Sequence, residues 1–528
     1  MRVSEKQSFL HGAAVLAVAG IAVKIIGAFY KIPLGSILGP VGMANFSVAY
    51  NIYALLFVLS TAGVPVAVSK LVAESLACGR VSEVCKIYRV SYLAFVSVGA
   101  AGFVLMFVFA KPIATIMGNA DAAAAIRAIS PAVLFVSMSA INRGYFQGQS
   151  NMYPTAISEV AEASGKLVFG IGAAWYLKTR GFSDGMVSAG AVCGVSAGAL
   201  LSALYFAAKR DNGEQSRNTR TQSFPEILLK LIKLSVPITL GAAVISLTNV
   251  IDSALVMNLL GERLFSRERA KWLFGAYNYA TTLFNLPSAL VATLSASLIP
   301  TLSGALAKRE FTSLSKGVNT GIKLAMMLAV PASFGMSYLS EGIIELLYGG
   351  GIDAECIAVS GKLLAIVSAA IAPLCLVTVT SSVHQAMGSA DIPVKAMLCG
   401  CVVKIISNLV LVSDSDINIY GAAWSTVLCY FTIAVFNVSS LKKYSFIKLK
   451  KSDVFLAPLF LGIVTFCAAT VAKKCAFSVF DSKITTVLAV ASGAAACVAC
   501  AFLTGIAAKD DFKVTFKRKK VSKFLNND

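Results

Sequence analysis

The sequence predicts an all-α polytopic membrane protein with 14 transmembrane helices, arranged as two pseudo-symmetric six-helix bundles followed by two extra C-terminal helices. Hydrophobic residues make up 57% of the 528 residues and charged residues only 14%, whereas soluble domains carry about 25% charged residues. Apolar runs of about 20 residues, which are long enough to cross a bilayer, recur along the whole chain. Basic residues fall mostly in the short segments between those runs, as they do in cytoplasmic loops.

The apolar runs predict the individual spans. Their approximate bounds are 9–32, 43–64, 88–110, 122–146, 154–177, 185–208, 227–259, 273–299, 316–340, 357–386, 393–413, 419–440, 453–473 and 483–507. An even number of spans places both termini on one side of the membrane, and the distribution of Lys and Arg selects the cytoplasmic side. The net charge of +20 therefore reflects topology, and we expect no nucleic-acid partner.

Two sequence echoes indicate an internal repeat. AYN at 49–51 recurs at 276–278, and YFQGQSNMYP at 145–154 resembles SVHQAMGSADIP at 382–393 in its position between two spans. The repeat predicts an N-terminal six-helix lobe at 1–208, a cytoplasmic linker at 209–223, a C-terminal six-helix lobe at 224–441, and spans 13 and 14 with a basic tail at 442–528. Parallel repeats with a cleft between them are typical of alternating-access transporters, which bind their substrate near the membrane midplane.

Lys24 lies inside the first apolar run, in GIAVKIIGAFYK. A lysine near the bilayer centre costs about 2.5–3.5 kcal/mol on insertion scales, so it is expected to face a wet cavity or a partner. The repeat places Lys24 at nearly the same depth as Asp252 in the seventh span. Two alternatives remain open: the two residues form a gate or salt bridge, or Lys24 binds an anionic substrate while Asp252 and Asn249 hold a coupling Na⁺ or H⁺.

Several other charged residues lie within or at the ends of apolar runs, and four of them are site candidates or a structural pair. Glu162 and Lys166 have the spacing of an intrahelical pair, so a structural role is favoured for them. Lys404 has no carboxylate at helical spacing, which makes it the cavity candidate of the second half. Arg143, at the end of the fourth span, is either a topology signal or a phosphate-binding residue. Two amides, Asn51 and Asn278, either offer hydrogen bonds to sugar hydroxyls or pack helices together.

Catalytic and metal-binding patterns are missing from the sequence. The two histidines stand far apart, no phosphate-binding loop or metal-spaced cluster is present, and Cys497 and Cys500 lie in an apolar run without polar neighbours. We therefore expect neither an enzyme nor a cofactor, and any energy must come from an ion gradient, the membrane potential or the substrate gradient.

Four stretches carry a resemblance to a known family. They are FLHGAAVLAVAGIAVKIIGAFYKIPLGSILGPVGMANFSVAYNIYALLFVLSTAGVPVAVSKLVAE, RGYFQGQSNMYPTAISEVAEASGK, SVPITLGAAVISLTNVIDS and TTLFNLPSALVATLSASLIPTLSGA. They resemble the stage V sporulation protein B group of polysaccharide transporters, near the MurJ-type lipid II flippases, within the multidrug/oligosaccharidyl-lipid/polysaccharide flippase superfamily. The likeness runs over nearly the whole chain and is diffuse.

The resemblance implies a bacterial plasma-membrane flippase. Such a protein moves undecaprenyl-diphosphate-linked cell-wall precursor from the inner to the outer leaflet, with the diphosphate in a central cationic cavity. The family's basic residue in the first span matches Lys24, and its next basic position falls on Tyr30, with Lys31 adjacent. Lysine replaces the family's arginine here and lacks the bidentate fork for phosphate.

The implied partners are a lipid-linked glycan and the cell-wall synthesis machinery, with the flippase itself acting as a monomer. The basic KRKK segment at 517–520 either attracts anionic membrane lipids or is a plain topology signal. The alternative function is a cation-coupled multidrug or small-solute antiporter of the same fold. It would use Asp252 for Na⁺ or H⁺, and Lys24 and the two added helices argue against it.

Overall fold

The computed structural model describes residues 9–209, 223–444, 452–477 and 481–506. This part of the chain contains no strand, which confirms the predicted all-α class. The helices are α1 (Phe9–Thr61), α2 (Val64–Ala77), α3 (Val81–Val108), α4 (Ala110–Ile116), α5 (Ala123–Gly148), α6 (Tyr153–Thr179), α7 (Asp184–Ala208), α8 (Phe224–Leu259), α9 (Arg267–Ala307), α10 (Phe311–Tyr338), α11 (Ser340–Tyr348), α12 (Ala354–Ser368), α13 (Ile371–Ala386), α14 (Asp391–Leu411), α15 (Ile419–Leu441), α16 (Ala457–Phe477) and α17 (Ser482–Leu503). Most of the predicted linker and the whole KRKK segment lie outside the described residues.

The exact number of spans is not confirmed. By length and apolar composition, ten helical segments in the described part of the chain are able to cross a membrane, or eleven when α12 and α13, bent by 45° at their junction, count as one. Two predicted spans, 154–177 and 273–299, are helical as α6 and α9 but fall outside this set. For α6 a physical reason is visible, because its first half carries Glu159, Glu162 and Lys166.

The first two predicted spans form one long helix with a kink. Gly39 has φ 67° and ψ 178°, and Pro40 follows it. A positive φ of this kind is readily adopted only by glycine, and proline cannot donate the backbone hydrogen bond that would continue the first helical segment. The predicted break between 32 and 43 is therefore present as a kink inside α1. We refer to the end of the helices near Gly39 as the kink end.

The described chain divides into two compact units. The first unit comprises Met1–Tyr279, Leu347–Val359 and Ile405–Ala422, and the second comprises Ala280–Leu346, Ser360–Lys404 and Ala423–Asp528. They are spatial bodies rather than sequence repeats, so the predicted lobes 1–208 and 224–441 stay a prediction.

In the first unit, glycines bring α6 and α7 into backbone contact. A Cβ at Gly194 of α7 would lie 2.3 Å from the Cα of Gly170, and a Cβ at Gly198 would lie 2.3 Å from the carbonyl oxygen of Glu162. Small residues one turn apart allow this approach between membrane helices. The close packing fixes the position of α6, which carries the predicted site residues Glu162 and Lys166.

The second unit contains a buried polar contact between α13 and α15. Asn437 donates from Nδ2 to Thr380 Oγ1 and Ser381 Oγ, both at 3.2 Å, and its carbonyl oxygen lies 3.2 Å from His384 Nε2. His384 and Asn437 are fully buried. Hydrogen bonds of this kind hold membrane helices together, so His384 has a structural setting in this unit.

Candidate functional site

Two lysines and two tyrosines converge in the first unit. Lys31 Nζ lies 5.5 Å from the centre of the Tyr50 ring. Lys166 Nζ lies 5.1 Å from the same ring centre and 4.8 Å from the centre of the Tyr30 ring. We call Tyr30, Lys31, Tyr50 and Lys166 the Tyr50 cluster. Its members come from both sides of the α1 kink and from α6.

The rings of this cluster are held by packing and by one long-range hydrogen bond. Tyr30 is fully buried, and its hydroxyl donates to the carbonyl oxygen of Ala191 in α7 at 2.9 Å. The space beside the Tyr30 ring exists because α6 has Gly170 there, where a Cβ would lie 2.7 Å from the ring. Phe46 stacks on Tyr50 with 5.6 Å between ring centres. The tyrosines are therefore fixed platforms for the two ammonium groups.

In the described part of the chain, no carboxylate forms an ion pair with the lysines of the cluster. Among the described residues, neither Lys31 nor Lys166 has an ion-pair partner, and both contact aromatic rings instead. A cation–π contact contributes about 0.5–2 kcal/mol, whereas removing a charge from water costs several kcal/mol. The aromatic contacts thus compensate only part of the cost, and an anion between the two lysines would compensate more.

The predicted Glu162–Lys166 pair is wrong. Glu162 Oε2 instead accepts a hydrogen bond from Arg143 Nη2 at 2.8 Å. Arg143 also donates from Nε to Ser158 Oγ at 3.0 Å and from Nη2 to Ser202 Oγ at 3.2 Å. The guanidinium presents several donors in a fixed fork and so satisfies three partners that an ammonium group could not reach together. Glu162 therefore balances the charge of Arg143, and Lys166 contacts the rings of Tyr30 and Tyr50.

Glu162→Gln is expected to destabilise the protein by about 1–3 kcal/mol, because it leaves the largely buried Arg143 without a counter-charge. Adding Arg143→Gln should recover part of that loss, since no unpaired charge then remains. Thermal unfolding of the two single variants and the double variant in one detergent measures this coupling. Additive losses in the double variant would contradict the pairing.

Lys24 lies seven residues before Lys31 on α1, which places both on the same face of the helix. At 1.5 Å per residue, their backbone positions are separated by about 10.5 Å along the helix axis. The side chain of Lys24 is exposed in the described part of the chain. Its role in holding a substrate stays a prediction, and Lys31 is the lysine of α1 that joins the Tyr50 cluster.

Asp252 lies in a second polar group of the first unit. It is 8% exposed, and its Oδ1 accepts a hydrogen bond from Asn408 Nδ2 at 2.7 Å. Ser253, the next residue, accepts from Asn51 Nδ2 at 2.6 Å and donates to the carbonyl oxygen of Asn249 at 2.8 Å. Asn51 therefore links α1 to α8, as expected if this amide packs helices together. Asn249 contributes only its backbone carbonyl oxygen to the contact with Ser253.

Asn278 and Lys404 are the other two predicted site residues. Asn278 donates to the carbonyl oxygen of Phe274 on its own helix at 2.7 Å. Lys404 is 7% exposed and belongs to the second unit. Sequence reasoning missed Tyr30 and Tyr50 as site residues. The signal was present in FYK and AYN, where each tyrosine adjoins a residue that was considered.

Comparison with known families decides the family of the chain. The profile described as "Polysaccharide biosynthesis protein" matches residues 9–305, more than half of the sequence. The chain belongs to this family. The profile "MatE" matches residues 237–410 of this family member. Both matches support the superfamily that the sequence resembles.

Three Bacillus subtilis (strain 168) proteins are similar to this family member over most of their length. "Uncharacterized membrane protein YabM" is 27% identical and the alignment covers 97% of this chain and 96% of that protein. "Lipid II flippase MurJ" is 25% identical with 85% and 86% covered. "Stage V sporulation protein B" is 24% identical with 90% and 92% covered.

Two solved structures share the fold. "Lipid II flippase MurJ, inward closed conformation" aligns with a TM-score of 0.73 at 16% identity, covering 93% of this chain and 99% of that chain. An inward-facing multidrug resistance MATE family transporter aligns with a TM-score of 0.66 at 16% identity, covering 81% and 99%. The chain is thus a multi-pass bacterial membrane protein with the fold of MOP superfamily transporters.

Proposed function

We propose that this protein is a flippase that moves a lipid II-like, undecaprenyl-diphosphate-linked cell-wall precursor, or a related lipid-linked oligosaccharide, from the inner to the outer leaflet by alternating access. The observation that carries this proposal is the pair Lys31 and Lys166, whose ammonium groups approach one tyrosine ring without a carboxylate partner among the described residues. A diphosphate that links a lipid to a sugar carries two negative charges, which two lysines match.

The physical task of such a protein is to lower the cost of moving a charged headgroup through hydrocarbon. An isolated phosphate charge cannot enter a low-dielectric phase without a very large penalty. Lysines that are already desolvated and positioned offset part of this penalty, while the prenyl chain stays in the lipid. No covalent bond changes in this process, so the proposal includes neither a catalytic residue nor a cofactor.

Energy coupling is assigned to Asp252. A nearly buried carboxylate with an amide beside it offers oxygen ligands suited to Na⁺, and the carboxylate alone accepts H⁺. Asn408 strengthens this assignment, because its Oδ1 is buried and has no hydrogen-bond partner. The side chain of Asn249, proposed from the sequence as a second ligand, is exposed. We propose Asn408 in its place.

Orientation and partners follow from charge and family. Both termini are assigned to the cytoplasm because basic residues concentrate in the segments that would then face it. The basic tail would bind anionic lipid headgroups. The protein would act as a monomer that hands its glycan to the cell-wall synthesis machinery.

The second candidate function is a cation-coupled multidrug antiporter. The match of the "MatE" profile to residues 237–410 and the buried Asp252 favour it. The unbalanced lysines of the Tyr50 cluster argue against a pocket for cationic drugs, because like charges repel. A drug antiporter would be expected to carry uncompensated carboxylates in that place.

Complementation distinguishes the two functions. In a strain depleted of its own lipid II flippase, we expect the wild-type chain to restore growth and Lys24→Ala to reduce the rescue, since Lys24 continues the basic face of α1 toward Lys31. Lys70→Ala, which removes an exposed lysine from α2, should rescue as the wild type does. Drug resistance without growth rescue would instead establish the antiporter.

A further inference from the structure

A polar cavity lies at the kink end of the first unit. It has a volume of about 570 Å³, which is in the range of small-molecule sites and far larger than a bare metal ion requires. Its wall comes from α1 just after the kink, from the residues around the start of α5, from the start of α7 and from the start of α9. The predicted topology places all four segments on the outer side of the membrane.

The charged side chains in the wall are mostly acidic. Asp121, Asp184 and Glu268 line the cavity together with a single cation, Lys271. Lys271 forms an ion pair with Asp121, and Asp184 pairs with Lys178 at 3.2 Å. Glu268 has no ion pair or side-chain hydrogen bond among the described residues. It is therefore the carboxylate that remains available to a positively charged ligand.

Asn45 supplies a second and independent indication of a ligand. It lies in the cavity wall on α1 and is 0% exposed. Neither its Oδ1 nor its Nδ2 has a hydrogen-bond partner. A buried polar group without a partner destabilises a protein by about 1–3 kcal/mol. The Asn45 amide therefore lowers the stability of the fold unless a ligand forms hydrogen bonds with it. One amide offers both a donor and an acceptor, which matches a ligand amide or hydroxyl.

We propose that this cavity binds the ammonium group of a small, hydrogen-bonding molecule, with Glu268 as its counter-charge and Asn45 as the partner of a neighbouring amide or hydroxyl. Amino sugars and short peptides with a free amine share this chemistry. A metal ion fits less well, because the described residues contain no group of three metal-ligating side chains. The site is separate from the Tyr50 cluster, so it does not depend on the proposed flippase activity.

Binding to the full chain in lipid nanodiscs tests this proposal by titration calorimetry with four probes. Glucosamine and lysyl-alanine carry the amine, and N-acetylglucosamine and Nε,Nα-diacetyl-lysyl-alanine are their uncharged counterparts. We expect at least one amine to bind saturably and its acetylated form to bind at least about fivefold more weakly, with the two amines distinguishing a sugar from a peptide ligand. Absence of saturable binding by both amines would overturn the proposal and leave water as the occupant.

Two variants and one control assign the binding to this cavity. Glu268→Gln should weaken amine binding at least about fivefold, whereas Glu74→Gln, which changes an exposed carboxylate of α2, should not. Asn45→Leu should abolish binding and leave the melting temperature equal or higher, because an orphan polar group is replaced by an apolar one of similar shape. If amine binding were unchanged in Glu268→Gln, the cavity would not be its site. If Asn45→Leu lowered the melting temperature, Asn45 would be structural and only the Glu268 half of the site would stand.

Discussion

The double variant Lys31→Ala, Lys166→Ala is expected to lose growth rescue in a strain depleted of its lipid II flippase, while still reaching the membrane at wild-type levels. Each lysine would make a charge-assisted hydrogen bond to phosphate, worth about 1.5–3 kcal/mol. Each single variant should therefore lower affinity for undecaprenyl diphosphate about 10- to 100-fold. Binding of that lipid to purified protein, measured alongside growth, separates loss of binding from loss of expression.

The matched controls either keep the positive charge of the cluster or remove a lysine elsewhere on the protein. Arginine at either position preserves the positive charge, so Lys31→Arg and Lys166→Arg should retain most of the rescue. Lys70→Ala removes a lysine that is 55% exposed and pairs with Glu74, and it should behave as the wild type. Full rescue by the double alanine variant would remove the Tyr50 cluster from the proposed mechanism.

Gly351→Ala is expected to abolish activity, whereas Gly350→Ala, one residue earlier, should be silent. A Cβ at Gly351 would lie 1.9 Å from the carbonyl oxygen of Ser36 in α1, within the first unit, while a Cβ at Gly350 would meet nothing within 4 Å. Backbone cannot yield as a flexible side chain does, so this contact must open or the local structure must shift, at a cost of about 1–3 kcal/mol or more.

A second close backbone contact with α1 involves Gly275, where a Cβ would lie 1.9 Å from the carbonyl oxygen of Pro40. Around it, Tyr279 donates from its hydroxyl to the carbonyl oxygen of Gly35 at 2.9 Å and packs on Tyr348 with ring centres 4.7 Å apart. Gly275→Ala should therefore reproduce the defect of Gly351→Ala, and Gly304→Ala on the same helix, where a Cβ meets nothing, should not. Growth rescue and protease sensitivity of the 349–353 segment measure these effects. Equal activity of Gly350→Ala and Gly351→Ala would show that activity does not need the close backbone contact between Gly351 and Ser36.

The fold class was predictable because the bilayer imposes it. A chain with long apolar runs and few charges has only helices with which to satisfy its backbone in lipid. The number of spans was less predictable, because α6 combines a spanning length with three charged residues in its first half. Hydropathy cannot distinguish a charged helix that lines a polar interior from one that lies outside the membrane.

The candidate site was predicted in part. The spacing along α6 predicted an ion pair between Glu162 and Lys166, but Glu162 pairs with Arg143 of α5 instead. A local sequence pattern cannot predict such a contact between two helices. The cost of an intramembrane charge drew attention to Asp252, which is nearly buried beside Asn408, and its role in coupling stays a prediction. The tyrosines that contact the lysines were missed because an aromatic residue in an apolar run looks like a packing residue, even where FYK and AYN place it beside a candidate site residue.

The kink at Gly39 separates the residues that form the Tyr50 cluster, since Tyr30 and Lys31 precede it and Tyr50 follows it. The distance between Lys31 and the Tyr50 ring is therefore a function of the bend angle of α1. By thermodynamic reciprocity, an anion that prefers the gathered lysines favours one bend angle, and straightening the helix weakens its hold on the anion. The kink at Gly39 would then couple binding of the anion to the position of the far end of α1, and a change in the bend angle would release the anion.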